Sequence, residues 1–212
     1  MLTLKKKLLL IRHGKTDWNI EVRFQGLTDI PLNDYGHQQA AKTAARLKNW
    51  REAKVYSSPL KRAMQTAEAI AGSPVIPLDG LTEISFGDWE GAHVSEIRKK
   101  DKKALDDWHR DGFFSIPPNA EPWEQIYKRV SEAVDVCIAG EDERIIIVAH
   151  GGILRAAMVH LAKLDPHSVW RLAVYNCSIT GIDICRGVNN LVFLNDTLHL
   201  DAESGYDAPF YY

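Results

Sequence analysis

Two short apolar runs, each followed at once by a histidine and a glycine, constrain this chain most. Residues 8–11 lead into Arg12-His13-Gly14, and residues 145–149 lead into His150-Gly151-Gly152. Such runs are typical of strands buried on both faces of a parallel sheet. In open α/β sheets, ligands bind at the carboxyl ends of strands, near a change in strand order. We therefore expect His13 and His150 to be neighbours in space.

Composition excludes several classes of function. The chain has 212 residues, 45% of them hydrophobic, which suits one domain spanning residues 1–212. The net charge of −2 gives no reason to expect a nucleic acid or an anionic membrane as partner. No apolar run approaches the roughly 20 residues of a membrane span, and the apolar run after Lys5–Lys7 is too short for a signal peptide. Three cysteines without metal-binding spacing predict reduced, mostly buried thiols in a cytoplasmic protein.

Strand and helix patterns alternate along the whole chain, which predicts an α/β fold with a mostly parallel sheet covered on both faces. Asn33 and Ser58 are predicted helix caps, with Pro59 at the first helical position. Residues 111–122 are the predicted lid or inserted subdomain, and the tail 201–212 is predicted to be loose. Helices are predicted over 34–50, from 58 to about 72, and over 95–109, 123–139 and 152–164, and strands over 54–57, 172–175 with 178–184, and 191–194.

Polar residues at predicted strand ends and helix starts suggest a phosphate site. These residues are Arg12, His13, Arg62, Glu83 and His150. Two arginines match the charge of a phosphate monoester, about −1.5 to −2 at neutral pH, and the guanidinium fork suits phosphate oxygens. Glycines at 14, 151 and 152 allow close approach of the backbone to an anion and offer N–H donors.

The same residues can take the separate chemical roles that phosphoryl transfer requires. Neighbouring arginines disfavour the imidazolium form of His13, and a neutral imidazole is a competent nucleophile. His150 could donate to the phosphoryl oxygens, and Glu83 could protonate the leaving alkoxide if its pKa is raised. No cluster of acidic or Cys/His residues suggests a metal, and we expect no cofactor, because the arginines, imidazole and N–H groups can stabilise the charge.

Each of these residues, taken alone, also has an ordinary structural explanation. A single histidine after a strand is usually a hydrogen-bonded polar residue, single arginines usually form surface ion pairs, and Glu83 alone could be a loop carboxylate. Their joint occurrence at ligand-facing positions is what favours a site. The remaining histidines are predicted to be structural or solvent-facing: His37, His93, His109, His160, His167 and His199. The tryptophans Trp89, Trp108 and Trp123 are predicted to pack in the interior rather than stack on a substrate.

The chain resembles the histidine phosphatase superfamily, in its phosphoglycerate mutase-like branch, to about Leu194. The Arg12-His13-Gly14 motif is similar to the motif that defines this family. Further resemblance lies in residues 29–32, 57–67, 83–91 and 148–152, which read DIPL, SSPLKRAMQTA, EISFGDWEG and VAHGG. The resemblance implies a three-layer α/β/α sandwich of the phosphoglycerate mutase type, with a small helical and loop insertion around 84–122.

The resemblance also implies roles for individual residues. By it, His13 is transiently phosphorylated, Arg12, Arg62 and His150 form the phosphate pocket, and Glu83 is the proton donor. It adds Asn19 and the backbone N–H of Gly151 as phosphate contacts. Two departures from the family pattern are Lys15, where an acidic or amide residue is common, and residues 117–122, which replace a Gly-Gly-Glu-Ser pattern but keep Glu121.

Three functions follow as hypotheses. The first is a phosphomonoesterase that hydrolyses a small phosphorylated metabolite through a phosphohistidine. The second is a cofactor-dependent phosphoglycerate mutase, which the short region between Glu90 and Trp123 disfavours. The third is a non-catalytic phosphate-binding scaffold, against which the intact set of site residues argues. The physiological substrate stays open, and so does the oligomeric state, for which a homodimer paired through the final strand is one alternative.

Overall fold

A six-stranded sheet forms the centre of the computed structural model, which describes residues 5–185 and 187–200. Its strands are β1 (Lys6–Arg12), β2 (Lys54–Ser57), β3 (Ile76–Pro77), β4 (Arg144–Ala149), β5 (Ile179–Cys185) and β6 (Val188–Asp196). The spatial order is β3-β2-β4-β1-β5-β6. The first four strands of that order run parallel, and β5 and β6 are antiparallel. The predicted α/β class with a mostly parallel sheet is confirmed.

Helices cover both faces of this sheet. They are α1 (Asp17–Ile20), α2 (Asp34–Arg46), α3 (Lys61–Ile70), α4 (Val94–Lys100), α5 (Lys102–Asp111), α6 (Trp123–Ala139), α7 (Gly151–Ala162) and α8 (Pro166–Val169). Short 3-10 turns occupy Lys48–Trp50, Asp79–Leu81, Gly87–Trp89 and Gly112–Phe114. Among the described residues, none of these helices has both the length and the apolar composition that a membrane span requires.

Alternate residues of each central strand enter opposite cores, because side chains of a strand alternate between the two faces. Leu8 and Leu10 of β1 belong to the cluster that contains the inner faces of α6 and α7. Leu9 and Ile11 belong to the cluster on the other face, with residues of α3. Two apolar layers thus press on the strands that end in the two histidines, so the sheet fixes the positions of those strand ends.

Several element boundaries agree with the sequence. The strand 54–57 and the helix 123–139 are confirmed, and Asn33 caps α2 by accepting the Gly36 N–H at 2.8 Å. The helix predicted over 34–50 ends at Arg46, and a 3-10 turn completes it. Cys137 and Cys177 are buried free thiols, and Cys185 is half-buried. The predicted loose tail 201–212 lies outside the described residues.

Other boundaries were predicted wrongly. The helix predicted over 95–109 is two helices, because Asp101 leaves helical geometry and caps α5 by accepting the Ala104 N–H at 2.9 Å. Residues 172–175 are not a strand. Helix α3 begins at Lys61, so Ser58 is not its cap and Pro59 is not its first residue. The Lys61 N–H donates to the Asp29 carboxylate at 2.7 Å instead.

Candidate active site

The pairing of β1 with β4 brings the two histidines together. Arg12, the last residue of β1, lies opposite Ala149, the last residue of β4. The His13 N–H then donates to the Ala149 carbonyl at 3.0 Å. The rings of His13 and His150 lie 5.1 Å apart, centroid to centroid, with 59° between their planes. The predicted proximity of the two histidines is therefore confirmed.

His13 is held in one tautomer. Its Nδ1 lies 2.7 Å from the Gly14 carbonyl oxygen, which can only accept, so Nδ1 carries the proton. The lone pair then resides on Nε2. Burial, followed by the charges of Arg62 and Arg12, lowers the pKa of His13 well below its ordinary range. The ring is thus neutral at physiological pH, with a nucleophilic nitrogen.

His150 is also neutral, but both its ring nitrogens contact protein. The Arg62 Nε–H donates to His150 Nδ1 at 3.2 Å, so the proton lies on Nε2, which donates to the Ser58 hydroxyl at 2.7 Å. Burial, followed by the charge of Arg62, lowers the pKa of His150 well below its ordinary range. The N–H that we expected to reach a phosphoryl oxygen is here directed at Ser58, and His150 orients the guanidinium of Arg62.

Arg62 is buried in the first turn of α3 and anchored by the loop before α2. Its two terminal nitrogens donate to the carbonyls of Thr28 and Gly26, each at 2.8 Å. Together with the bond to His150 this uses three of the five N–H groups of a guanidinium, which leaves two for an anion. Burial lowers the pKa of Arg62 to about 10, so the group stays charged at neutral pH.

Glu83 is 9% exposed and follows a 3-10 turn rather than a strand. Burial raises the pKa of its carboxyl, and the Ile84 N–H, which donates to Oε1 at 3.0 Å, opposes that shift. Gly152 makes room for this segment, because a side chain there would overlap Ile84 and lie 3.0 Å from the Glu83 carboxyl. A carboxyl with a raised pKa beside a phosphate pocket can carry a proton for a leaving group.

Three further predicted residues line the same cavity as His13: Arg12, Asn19 and Gly151. Arg12 is held by a bond to the Val174 carbonyl at 2.6 Å. The Asn19 side-chain oxygen accepts the Thr16 N–H at 3.0 Å, so its amide NH₂ is the group available to an anion. Gly151 is the first residue of α7, where backbone N–H groups have no partner within the helix. Gly14 does not contribute in this way, because its N–H donates to Thr66.

Sequence reasoning missed the residues that hold this pocket together. Ser58, a predicted helix cap, instead accepts the N–H of His150. Glu90 accepts the N–H groups of Leu27 and Phe86, at 3.2 and 3.1 Å, so it joins the loop that anchors Arg62 to the loop that carries Glu83. Glu90 belongs to the Glu-Gly pair that ends the motif 83–91, so the sequence did contain a signal for its importance.

Arg129 is a second missed support. It donates to the Thr82 carbonyl at 2.6 Å and to the Glu83 carbonyl at 3.2 Å. It also forms a bidentate ion pair with Glu121, at 2.6 and 2.7 Å. This pair fixes the backbone on both sides of Glu83, and neither residue lines the cavity that contains His13.

One cavity of about 200 Å³ contains the assembled groups. We call the part lined by Arg12, His13, Arg62, Glu83 and Gly151 the inner part, and the rest of the cavity, which includes five tryptophan and phenylalanine rings, the outer part. His109, predicted to be structural or solvent-facing, belongs to the outer wall, and so does Trp108. Trp108 is also 5% exposed, so its predicted role in packing is confirmed. Within the described residues, no group of three or more His, Cys, Asp or Glu side chains could hold a metal ion.

Comparison with known proteins shows to which family the chain belongs. Residues 8–197 match the sequence profile of the histidine phosphatase superfamily (branch 1). The chain belongs to the histidine phosphatase superfamily. The putative phosphoserine phosphatase 2 of Hydrogenobacter thermophilus is 30% identical over 197 residues, 92% of this chain and 97% of that protein. The resemblance seen in the sequence is thereby confirmed.

Two other histidine phosphatase relatives show the range of the family. The 2,3-bisphosphoglycerate-dependent phosphoglycerate mutase of Cytophaga hutchinsonii is 29% identical over 95% of this chain and 94% of its own. The mycobacterial glucosyl-3-phosphoglycerate phosphatase solved with VO₃ superposes with a TM-score of 0.83, at 29% identity, covering 91% of this chain and 100% of its own. The family therefore includes hydrolases and mutases of closely similar length.

The two departures from the histidine phosphatase pattern have clear structural outcomes. The ammonium group of Lys15 lies over the ring of Tyr35, 5.3 Å from its centroid, rather than in the cavity wall. The loop 117–122 is not detached: the Asp88 N–H donates to the Pro118 carbonyl and the Glu121 N–H donates to the Ser85 carbonyl, each at 3.0 Å. The loop thus supports the segment that follows Glu83. That residues 84–122 form an insertion stays a prediction.

Proposed function

We propose that this chain is a metal-independent phosphomonoesterase that hydrolyses a small phosphorylated metabolite through a phosphohistidine at His13. The observation that carries the proposal is the neutral His13 ring, with its proton on Nδ1 and its lone pair on Nε2, in one cavity with two arginines and a buried carboxyl. Several similar proteins are named phosphatases, which supports hydrolysis as the reaction.

In the first step, Nε2 of His13 forms a bond to phosphorus as the ester oxygen departs. Arg12 and Arg62 neutralise the phosphoryl charge, with the backbone N–H of Gly151 and the amide of Asn19 as further donors. Glu83 passes its proton to the departing oxygen. In the second step the Glu83 carboxylate takes a proton from water, which attacks phosphorus and releases phosphate from His13.

The opposite pKa shifts of Glu83 and His13 favour this proton arrangement. In water a glutamic acid titrates near 4.3 and a histidine near 6.5, so at intermediate pH the carboxyl would be ionised and the imidazole protonated. Burial raises the pKa of Glu83 and lowers that of His13, so both shifts favour the neutral pair. The neutral pair is the reactive one, because the acid must hold a proton and the nucleophile must not.

Phosphoglycerate mutase activity is the second candidate, because a mutase relative matches 95% of the chain. Hydrolysis of 4-nitrophenyl phosphate, compared with isomerisation of 3-phosphoglycerate in the presence of bisphosphoglycerate, separates the two functions. We expect hydrolysis to dominate, and rapid isomerisation with negligible release of phosphate would contradict the proposal. His13→Ala should abolish turnover, whereas His37→Ala, at an exposed histidine of α2, should leave it unchanged.

A further inference from the structure

The outer part of the cavity is walled mainly by aromatic and aliphatic side chains. The side chains concerned are Trp18, Val22, Phe24, Phe86, Val94, Trp108 and Trp170. Most of them are only half-buried, so they leave apolar surface facing the space beyond the phosphate pocket. We call this part of the wall the aromatic chamber. Covering apolar surface in a cleft contributes the most favourable binding free energy when the ligand is itself apolar.

The rings of the aromatic chamber pack against one another. Trp108 packs edge-on against Phe86, with centroids 5.4 Å apart, and against Trp170, at 4.6 Å. Phe24 makes a further edge contact with Phe86 at 5.1 Å. Such edge-to-face pairs are favourable for aromatic rings and fix their relative orientation. The rings therefore form one continuous packed wall.

The backbone is distorted to complete this wall. Val22 has a φ of 57°, a conformation that is rare for a β-branched residue and therefore strained. The Val94 N–H holds it by donating to the Val22 carbonyl at 3.0 Å. Gly112 makes room on another side, because a side chain there would overlap the ring of Trp170. Both features serve the placement of apolar groups around the outer cavity.

The cationic groups of the outer wall are already engaged with protein acceptors. Arg23 forms an ion pair with Glu21 at 2.6 Å and donates to the Gly91 carbonyl at 2.9 Å. Arg155 donates to the Leu172 carbonyl at 2.8 Å and stacks over Trp170, 5.0 Å from the ring centroid. The Glu21 carboxylate thus already balances the charge of Arg23, and an uncharged ring needs no ionic partner in this wall.

We propose that the aromatic chamber is a subsite for a flat, uncharged leaving group, so that the preferred substrates are phosphate esters of aromatic alcohols rather than of small hydroxy acids. The inference rests on the proposed hydrolysis at His13 and adds the substrate class to it. The volume of the cavity suits one aromatic ring, since an apolar cavity of about 150 Å³ accommodates benzene. The same cavity also contains the phosphate pocket. The half-buried rings of Trp18, Phe24 and Phe86 would contact the leaving group.

The test compares esters whose leaving groups are all alkoxides, so that leaving-group chemistry does not decide the result. We expect kcat/KM for benzyl phosphate to exceed that for O-phosphoserine and for 3-phosphoglycerate by at least about tenfold, the effect of burying one ring. Val94→Lys places a cation in the chamber and should reduce this preference by about tenfold. Val192→Lys, at an exposed valine of β6 outside the cavity wall, should leave the preference unchanged.

A wild-type preference for either hydroxy-acid ester, or equal behaviour of the two lysine variants, would overturn the subsite. Failure of the proposed hydrolysis has a different signature, because then 4-nitrophenyl phosphate would not be cleaved either. In that case tryptophan fluorescence measures binding of benzylphosphonate and 3-phosphonopropionate, which need no turnover. Tighter binding of benzylphosphonate, by about tenfold, supports the subsite, and equal or weaker binding overturns it.

Discussion

Replacing Glu83 with glutamine removes the proton assigned to the leaving group and keeps the shape of the side chain. The amide oxygen of glutamine can still accept the Ile84 N–H, which donates to Oε1 at 3.0 Å in the native protein. The buried packing beside Gly152 is likewise retained. The change therefore isolates proton transfer from the architecture of the site.

The size of the effect depends on the leaving group. General acid catalysis contributes about 10²–10⁴-fold to a rate, which corresponds to about 3–5 kcal/mol of barrier. We expect a loss of this size in kcat/KM for benzyl phosphate, because a departing alkoxide needs a proton. The loss for 4-nitrophenyl phosphate should be at least about tenfold smaller, because nitrophenolate departs as a stable anion.

The parameter kcat/KM suits this comparison because it reports the first phosphoryl transfer and not the later attack of water. Circular dichroism and the urea midpoint of the variant should match those of the native protein. Equal losses on the two esters, or no loss on benzyl phosphate, would refute the assignment of Glu83 as the acid.

The pH profile gives an independent check on Glu83. Because burial raises the pKa of Glu83, kcat/KM for benzyl phosphate should fall on the alkaline side as the carboxyl loses its proton. Because the pKa of His13 is lowered, the nucleophile should stay neutral to well below the ordinary range of a histidine. The Glu83→Gln variant should lack the alkaline limb, and a persisting limb would assign that ionisation to another group.

The remaining predictions concern the supports of the pocket and the absence of a metal. Ser58→Ala leaves the buried N–H of His150 without its acceptor, so unfolding free energy in urea should fall by about 1–3 kcal/mol and kcat/KM should fall with it; unchanged stability and activity would contradict this. Glu90→Ala leaves the N–H groups of Leu27 and Phe86 unpaired and should lower kcat/KM for both esters to a similar extent, whereas Glu83→Gln should affect benzyl phosphate more. Exhaustive dialysis against EDTA should leave activity unchanged, and a loss restored by Mg²⁺ or Mn²⁺ would exclude a metal-independent mechanism.

Much of the fold was predictable because its signals are local. The uninterrupted apolar run of β4 and the helical periodicity of α6 each predict an element from neighbouring residues alone. The break at Asp101 was missed because an aspartate can end one helix and cap the next while the charged pattern continues across it. The start of α3 was missed because Asp29, whose carboxylate accepts the N–H of its first residue, is 32 residues away in sequence.

The residues of the candidate site also differ in whether the sequence alone could predict them. His13 and His150 could be predicted because each follows one of two neighbouring parallel strands, and the pairing of those strands alone brings them together. Ser58, Glu90 and Arg129 could not, because each acts through a contact between distant segments that has no sequence period. The aromatic chamber likewise combines residues from 18 to 170, and only the tertiary structure shows that they enclose one space.

Detection of the phosphorylated intermediate tests the central claim most directly. Enzyme mixed with labelled 4-nitrophenyl phosphate, quenched within milliseconds and digested, should yield a phosphopeptide that is labile in acid and stable in alkali, as expected for a phosphohistidine. Mass spectrometry should place the phosphoryl group on His13, and the His13→Ala variant should give no label. Label on another residue, or full turnover without any trapped phosphoenzyme, would contradict the account.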